Sequence, residues 1–307
     1  MPSQAASRPL LAIGLMCIAW ATFAGLDTTA KYLGTATDLP AAQVIWIRFL
    51  GQFLAMVTAL GLIAVPRLVR TRKPAAQLVR SLLLLGSTAF NFFALRHLRL
   101  DQTTTIGFLT PLMVALLAGP FLGEWIGWRR AIAIAVGFAG ILVAIRPGVA
   151  QVHPAVLLSL ASMLCYAVFS LVTRHLAPFD RAEVTLFYSL LAGSVIMAPF
   201  ALIEWVWPKS SLVWVLLLSM GFYAGVGHYL FIVAHRYAPA STIAPFLYIS
   251  LITHSTAGYL VFGQVPDAWT LGGAAIVILS GLYLFQRERA TQRVASVAMT
   301  SEAVPQR

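Results

Sequence analysis

Long apolar runs, separated by short polar or basic connections, recur ten times along the chain. They fall at roughly Leu10–Leu33, Gln43–Val65, Leu78–Leu95, Thr103–Leu122 and Trp128–Ile145, then Ala155–Leu176, Val184–Trp207, Leu212–Ala234, Ser241–Phe262 and Trp269–Phe285. Each approaches the ~20 residues a helix needs to cross the hydrocarbon core. The runs are continuous, unlike the alternating ~10-residue strands of a membrane barrel. Backbone groups in lipid must also bond within their own segment. The pattern therefore predicts an all-α integral membrane protein with ten transmembrane helices. Pro40, Pro66, Pro74, Pro147, Pro154, Pro178, Pro208 and Pro266 sit at or near the predicted ends, as proline's poor fit in a helix interior requires. The first run, preceded by Arg8, shares features with a signal peptide. Its length and its nine successors favour an uncleaved first span.

Composition sharpens this reading. Apolar residues make up 60% of the 307 and charged residues 10%, against about 45–50% and 25% in soluble domains. Soluble, disordered and disulfide-scaffold classes are excluded on that ground. The net charge of +11 is explained by basic loops at the cytoplasmic surface, so no nucleic-acid partner is implied. With the N-terminus inside, fifteen of the 21 Lys and Arg residues fall on the inner side and five on the outer, Arg48 lying within span two. This bias predicts an inner (plasma) membrane protein with both termini cytoplasmic. Cys17 and Cys165 lie in apolar runs without metal-ligand or CxxC spacing and read as small buried hydrophobes. No metal or cofactor is expected. The polar tail, residues 291–307, is expected to be disordered.

Five spans followed by five suggest a repeat. A shift of 140 residues places Ala94 on Ala234, Arg96 on Arg236, Phe108 on Tyr248, Gly123 on Gly263 and Glu124 on Gln264; one further residue places Trp128 on Trp269 and Gly140 on Gly281. The expected units are residues 1–150 and 151–290. An odd number of spans per unit makes the second copy enter the membrane from the opposite side. The halves are then inverted about an axis in the membrane plane, as in many secondary transporters, with substrate bound near the midplane between them.

Ile18-Ala19-Trp20 with Lys31 in span one, Arg48-Phe49 in span two, Thr110-Pro111 in span four, then Gly123-Glu124, Trp128 and Gly140 together resemble the drug/metabolite transporter superfamily and its EamA-type ten-span metabolite exporters. The resemblance covers about residues 10–286. It implies an inner-membrane permease, with the aromatic amino-acid exporters a familiar subgroup. It also implies that spans one, three, four, six, eight and nine line a central cavity while five and ten lie at the periphery. The second half departs from the pattern, with Leu251 where the proline of Thr110-Pro111 would recur and Gln264 in place of Glu124.

Several residues are candidates for the transport route. Arg48 is a charge within a span, suited either to attracting an anionic group or to snorkelling and bonding backbone carbonyls. Asp27 and Lys31 share one face of span one, either as an ion pair near the outer interface or as a gate with a coupling carboxylate. Pro111 frees a carbonyl in span four, giving a bend beside the cavity or a static kink. In span eight, Gly221 and Gly225 form a small-xxx-small face for close packing. His228 and His254 titrate near neutral pH when unperturbed. Trp20, Asn91, Tyr166, Tyr223 and Tyr248 complete the expected substrate-binding set, against the plainer reading of each as an interhelical hydrogen-bonding residue.

These features describe a secondary transporter working by alternating access. The expected cargo is a small molecule, with aromatic or large neutral amino acids first, and export is implied by the resemblance. The alternative is a membrane-embedded transferase acting on a lipid-soluble substrate. It would need clustered carboxylates or a nucleophile with a base, and the acids here are scattered. A P-loop pattern is absent.

Overall fold

The computed structural model describes residues 8–123, 127–146, 152–238 and 240–302. Among these the regular structure is helical: α1 (Pro9–Ala36), α2 (Ala41–Leu60), α3 (Val65–Leu68), α4 (Pro74–Leu95), α5 (Leu100–Gly107), α6 (Thr110–Leu122), α7 (Trp128–Ile145), α8 (Ala155–Leu176), α9 (Ala182–Ile203), α10 (Ser211–Tyr237), α11 (Ala240–Ile243), α12 (Ile249–Phe262) and α13 (Ala268–Glu302). Among the described residues nine rods are long and apolar enough to cross a membrane, with α5 and α6 counted as one. The remaining predicted span, Ser241–Phe262, is met by α11, a 3-10 turn over Ala244–Tyr248, and α12.

The interruptions have local causes. Span four breaks at Phe108 and Leu109, and Pro111 lies in the first turn of α6. There the missing N–H would have had no helical partner anyway. Pro111 thus starts a helix rather than kinking one, which corrects the expected mid-helix bend. In the second half the proline does recur, but six residues before Leu251, as Pro245 in the 3-10 turn. Gly123 (φ +74°) and Gly263 (φ +65°) end α6 and α12 in the left-handed conformation that glycine adopts without steric cost. Each amide closes on a carbonyl four residues back, at 2.9 Å. The two halves therefore break and cap the same span in the same way, 140 residues apart. Glu124 lies outside the described residues.

Packing carries the same symmetry. Exchanging each span with the one five places on maps the contacts α1·α10 onto α4·α8, α2·α10 onto α4·α9, and α1·α12 onto α6·α8, while α2·α9 and α7·α13 map onto themselves. The Phe108 and Tyr248 rings, equivalent under the 140-residue shift, meet edge-on at 5.1 Å. Residues related by a two-fold axis touch only near that axis, so this contact marks it. The backbones of α2 and α10 come close at Gly51 and Gly221, where a Cβ on Gly221 would lie 2.8 Å from the Gly51 carbonyl carbon. Gly225 has nothing within 4 Å of its Cβ direction. Only half of the expected glycine face is used in packing. The peripheral pair α7 and α13 crosses closely at Gly140, whose Cβ would sit 2.9 Å from the Gly273 carbonyl oxygen. Cys17 and Cys165 are free thiols. Beyond the membrane rod, α13 continues as helix to Glu302, where the polar tail had been expected to lack fixed structure. Its Gln, Arg, Glu and Ala residues are good helix formers.

At the face where α1 begins, a polar network joins α4 to the connection before α9. The Asp180 carboxylate accepts from Thr71 Oγ1 at 2.5 Å, Gln77 Nε2 at 2.9 Å and the Arg72 amide at 3.1 Å. Burial pushes the carboxyl up, but these bonds and the Arg72 charge outweigh it and hold its pKa below the ordinary carboxylate range. A depressed folded-state pKa gives stability that is present above the unfolded value of ~3.9 and lost as pH falls through the folded value. Asp180→Asn is expected to remove this acid-sensitive increment, so that the variant's melting temperature in detergent falls less than the parent's between pH 5 and pH 3 (approximate limits around that value).

Candidate functional site

A cavity of about 460 Å³ lies at the seam between the halves, within the size range of small-molecule sites. Its walls come from α1, α2, α4, α5, α6, α8, α10, the α11 segment and α12; α7 and α13 contribute nothing. Two lining helices present stripes at helical spacing: Leu84, Ser87, Thr88, Asn91 and Phe92 on α4, and Ser159, Ser162, Met163 and Tyr166 on α8. The stripes are stitched together where Ser162 Oγ donates to the Ser87 carbonyl at 2.8 Å.

The cavity is sealed at one face and open at the other. At the face where α1 ends, α1 and α2 pack against α4. Leu33, Leu39, Leu95, Leu98 and Leu100 are all buried there. Symmetry would place matching contacts between α8 or α9 and α10 at the opposite face, and among the described residues no comparable packing is found. The lining residues nearest that gap are accessible, with Tyr166 43% exposed and His235 exposed. The cavity therefore opens, between α8 and α10, to the face that carries the start of α1.

Lys31 holds the seal. Its ammonium is buried and donates to the carbonyls of Leu95 at 2.8 Å and Leu98 at 2.5 Å, at the C-terminus of α4. It also lies over the Phe262 ring at 5.4 Å. A helix C-terminus leaves carbonyls unpaired and carries partial negative charge, which is what a cation there satisfies. This corrects the expected Asp27–Lys31 pair, since the two side chains take different partners.

Among the described residues Asp27 is the one acid in the cavity wall and Arg48 the one Lys or Arg. Asp27 Oδ1 accepts from Asn91 Nδ2 on α4 at 3.2 Å, and Oδ2 faces His254 Nε2 on α12 at 3.2 Å. The other nitrogen of His254 faces the Ser250 carbonyl at 2.8 Å. His254 thereby ties α12 to the Asp27 carboxylate on α1.

Arg48 is 5% exposed, with Nε and Nη1 buried and without a hydrogen-bond partner. Its guanidinium stacks over the adjacent Phe49 ring at 4.4 Å. Trp20 Nε1 is likewise buried and unpaired. The Trp20 and Phe23 rings meet edge-on at 5.6 Å, and Phe23 meets His228 at 5.1 Å, forming an aromatic wall. His228 Nδ1 is spent on its own helix, on the Ala224 carbonyl at 2.7 Å.

Of the residues expected at the site, Trp20, Asp27, Arg48, Asn91, Pro111, Tyr166, His228 and His254 line this cavity. Tyr223 does not, because its ring packs on α1 at Gly25, 3.2 Å from where a Cβ would stand. Tyr248 does not either, because its hydroxyl end abuts Gly281 on α13. Sequence reasoning missed His235 and the Ser/Thr stripes of α4 and α8, although their i, i+3, i+7 spacing was legible. Arg80 was counted among the fifteen Lys and Arg residues of the inner side. Arg80 is buried, donating to Thr173 Oγ1 at 2.6 Å, to the Thr185 carbonyl at 3.0 Å and to Ser189 Oγ at 2.5 Å. It clamps α4 to α8 and α9 at the open face.

Two inverted helical halves around a largely apolar cavity set with a few polar side chains have the architecture of many secondary transporters. The EamA-like transporter family matches residues 10–146 and again 153–286. The chain belongs to that family, one copy per half, and is a multi-pass membrane transporter. It is 27% identical to an S-adenosylmethionine uptake transporter of Rickettsia felis over 91% of this chain and 94% of that one. It is 27% identical to a riboflavin transporter of Vibrio cholerae, covering 93% and 96%. A pseudopaline exporter of Pseudomonas aeruginosa is 23% identical, covering 91% and 98%. A solved crystal structure at 19% identity superimposes with a TM-score of 0.59 over 89% of this chain and 94% of that one, which shows a shared fold. These relatives are transporters rather than enzymes, so the transferase reading is set aside.

Proposed function

We propose that the protein is a secondary transporter of the inner membrane that carries a small amphipathic metabolite with an aromatic portion, by alternating access. The observation that carries this reading is the cavity at the seam, sealed at one face by α1 on α4 and open at the other between α8 and α10. Exchanging which symmetry-related pair of contacts is made would expose the same cavity to the other side. The excess of Lys and Arg supports a cytoplasmic position for the open face, an inward-open state with both termini inside. Trp20, Phe23, Tyr166 and Phe231 supply stacking surface, while Asn91, Asp27, His228 and His254 offer polar contacts.

Aromatic amino acids are the simplest cargo of this description. Larger aromatic metabolites are the second reading, favoured by the relatives named for S-adenosylmethionine and riboflavin. Those relatives include both an uptake transporter and an exporter, so direction follows the gradients in which the protein works. The purified chain in liposomes, preloaded with phenylalanine, S-adenosylmethionine or riboflavin, should show saturable counterflow of at least one labelled compound. Flux that rises linearly with concentration and shows no counterflow would contradict a carrier.

A further inference from the structure

We infer that Arg48 forms an anion-binding subsite in the cavity wall, taking a carboxylate or phosphate group of the transported molecule. The inference rests on the transporter reading for what the ligand does, and on the side chains alone for its charge. Arg48 is more than nine-tenths buried, it lines the cavity, and its Nε and Nη1 have no hydrogen-bond partner. An intramembrane guanidinium is costly unless paired. The Phe49 ring, at 4.4 Å, stabilises a cation but accepts no N–H.

The one acid in the cavity wall does not meet this need. Asp27 acts on Arg48 electrostatically, yet its oxygens are engaged by Asn91 and His254. Among the described residues Asp27 makes no ion pair with Arg48, and the buried Nε and Nη1 hydrogens of the guanidinium remain unspent. A planar fork matches the two oxygens of a carboxylate or phosphate. A neutral cargo would leave the guanidinium as unpaired as it is in the empty cavity.

Matched probes differing only in that charge provide the test. 3-Phenylpropionate is compared with 3-phenylpropionamide for the carboxylate, and flavin mononucleotide with riboflavin for the phosphate. Binding to the full chain in detergent is read by thermal-unfolding shift, and transport by counterflow in liposomes. The anionic member of one pair is expected to bind about tenfold to a hundredfold more tightly, the range for a charge-assisted hydrogen bond; which pair responds identifies the group. Arg48→Gln should reduce that member to the level of its neutral partner, while Arg48→Lys, which keeps the charge but not the planar fork, should retain only part of the preference. Equal or absent binding of both members of both pairs by the parent protein would overturn the inference, whether or not the variants fold. So would a preference that survives in Arg48→Gln. Anion-selective binding without counterflow would leave the subsite standing and refute transport instead.

Discussion

Replacing Lys31 with Met is expected to unseal the closed face. The methionine keeps the length and apolar character of the stem but removes the charge that bonds the Leu95 and Leu98 carbonyls. Hydrogen bonds to charged groups contribute about 1.5–3 kcal/mol each, and part of that returns when water reaches the freed carbonyls. A net loss of about 2 kcal/mol, specific to the state in which α1 lies on α4, would shift the ratio of the two states roughly thirtyfold. Spin labels at Ala36→Cys and His97→Cys, in a background lacking Cys17 and Cys165, report this separation directly. Both positions are exposed at the ends of α1 and α4. The parent should show one short distance and the Lys31→Met protein a second, longer population. Identical distance distributions would mean that Lys31 merely fills a helix end.

The second large effect is expected at Asp27. Asp27→Asn keeps the shape of the side chain and removes the carboxylate charge that faces His254. The pair bridges α1 to α12, and Asn91 joins the same carboxylate to α4 across the closing seam. Asn91 from α4 and His254 from α12 contact it, Arg48 from α2 acts on it electrostatically, and Lys31 lies one turn along on α1. Intramembrane acids of this kind mark proton pathways. Accumulation driven by a pH gradient should therefore fall by about tenfold or more in Asp27→Asn, while exchange at equal pH persists. Unchanged pH dependence would exclude Asp27 as the coupling acid.

How far the chain was legible depends on the range of the interaction concerned. The spans could be read because lipid demands apolar length and internally bonded backbone. The break in span nine escaped because a 3-10 turn at Pro245 leaves hydropathy unchanged. Arg48, Asp27, Asn91, His228 and His254 were recognisable because a polar group in a membrane helix is conspicuous wherever it points. Their partners were not recognisable. Spacing of four along α1 suggested that Lys31 meets Asp27, but the α4 carbonyls and His254 belong to helices distant in sequence. Tyr223 and Tyr248 were misplaced for a related reason, since an amphipathic ring suits a helix-packing seam as well as a cavity wall.

The amino-acid sequence by itself determined the solvent, the helical class, the number of crossings and, through an odd count per half, the inverted relation between the halves. These follow from local composition and length. Only the tertiary structure decided which face is sealed, which cavity charge is already paired, and that Arg48 is the one left over. Those outcomes depend on the approach of helices far apart in the chain, and a few ångströms in that approach separate a hydrogen bond from an unpaired charge.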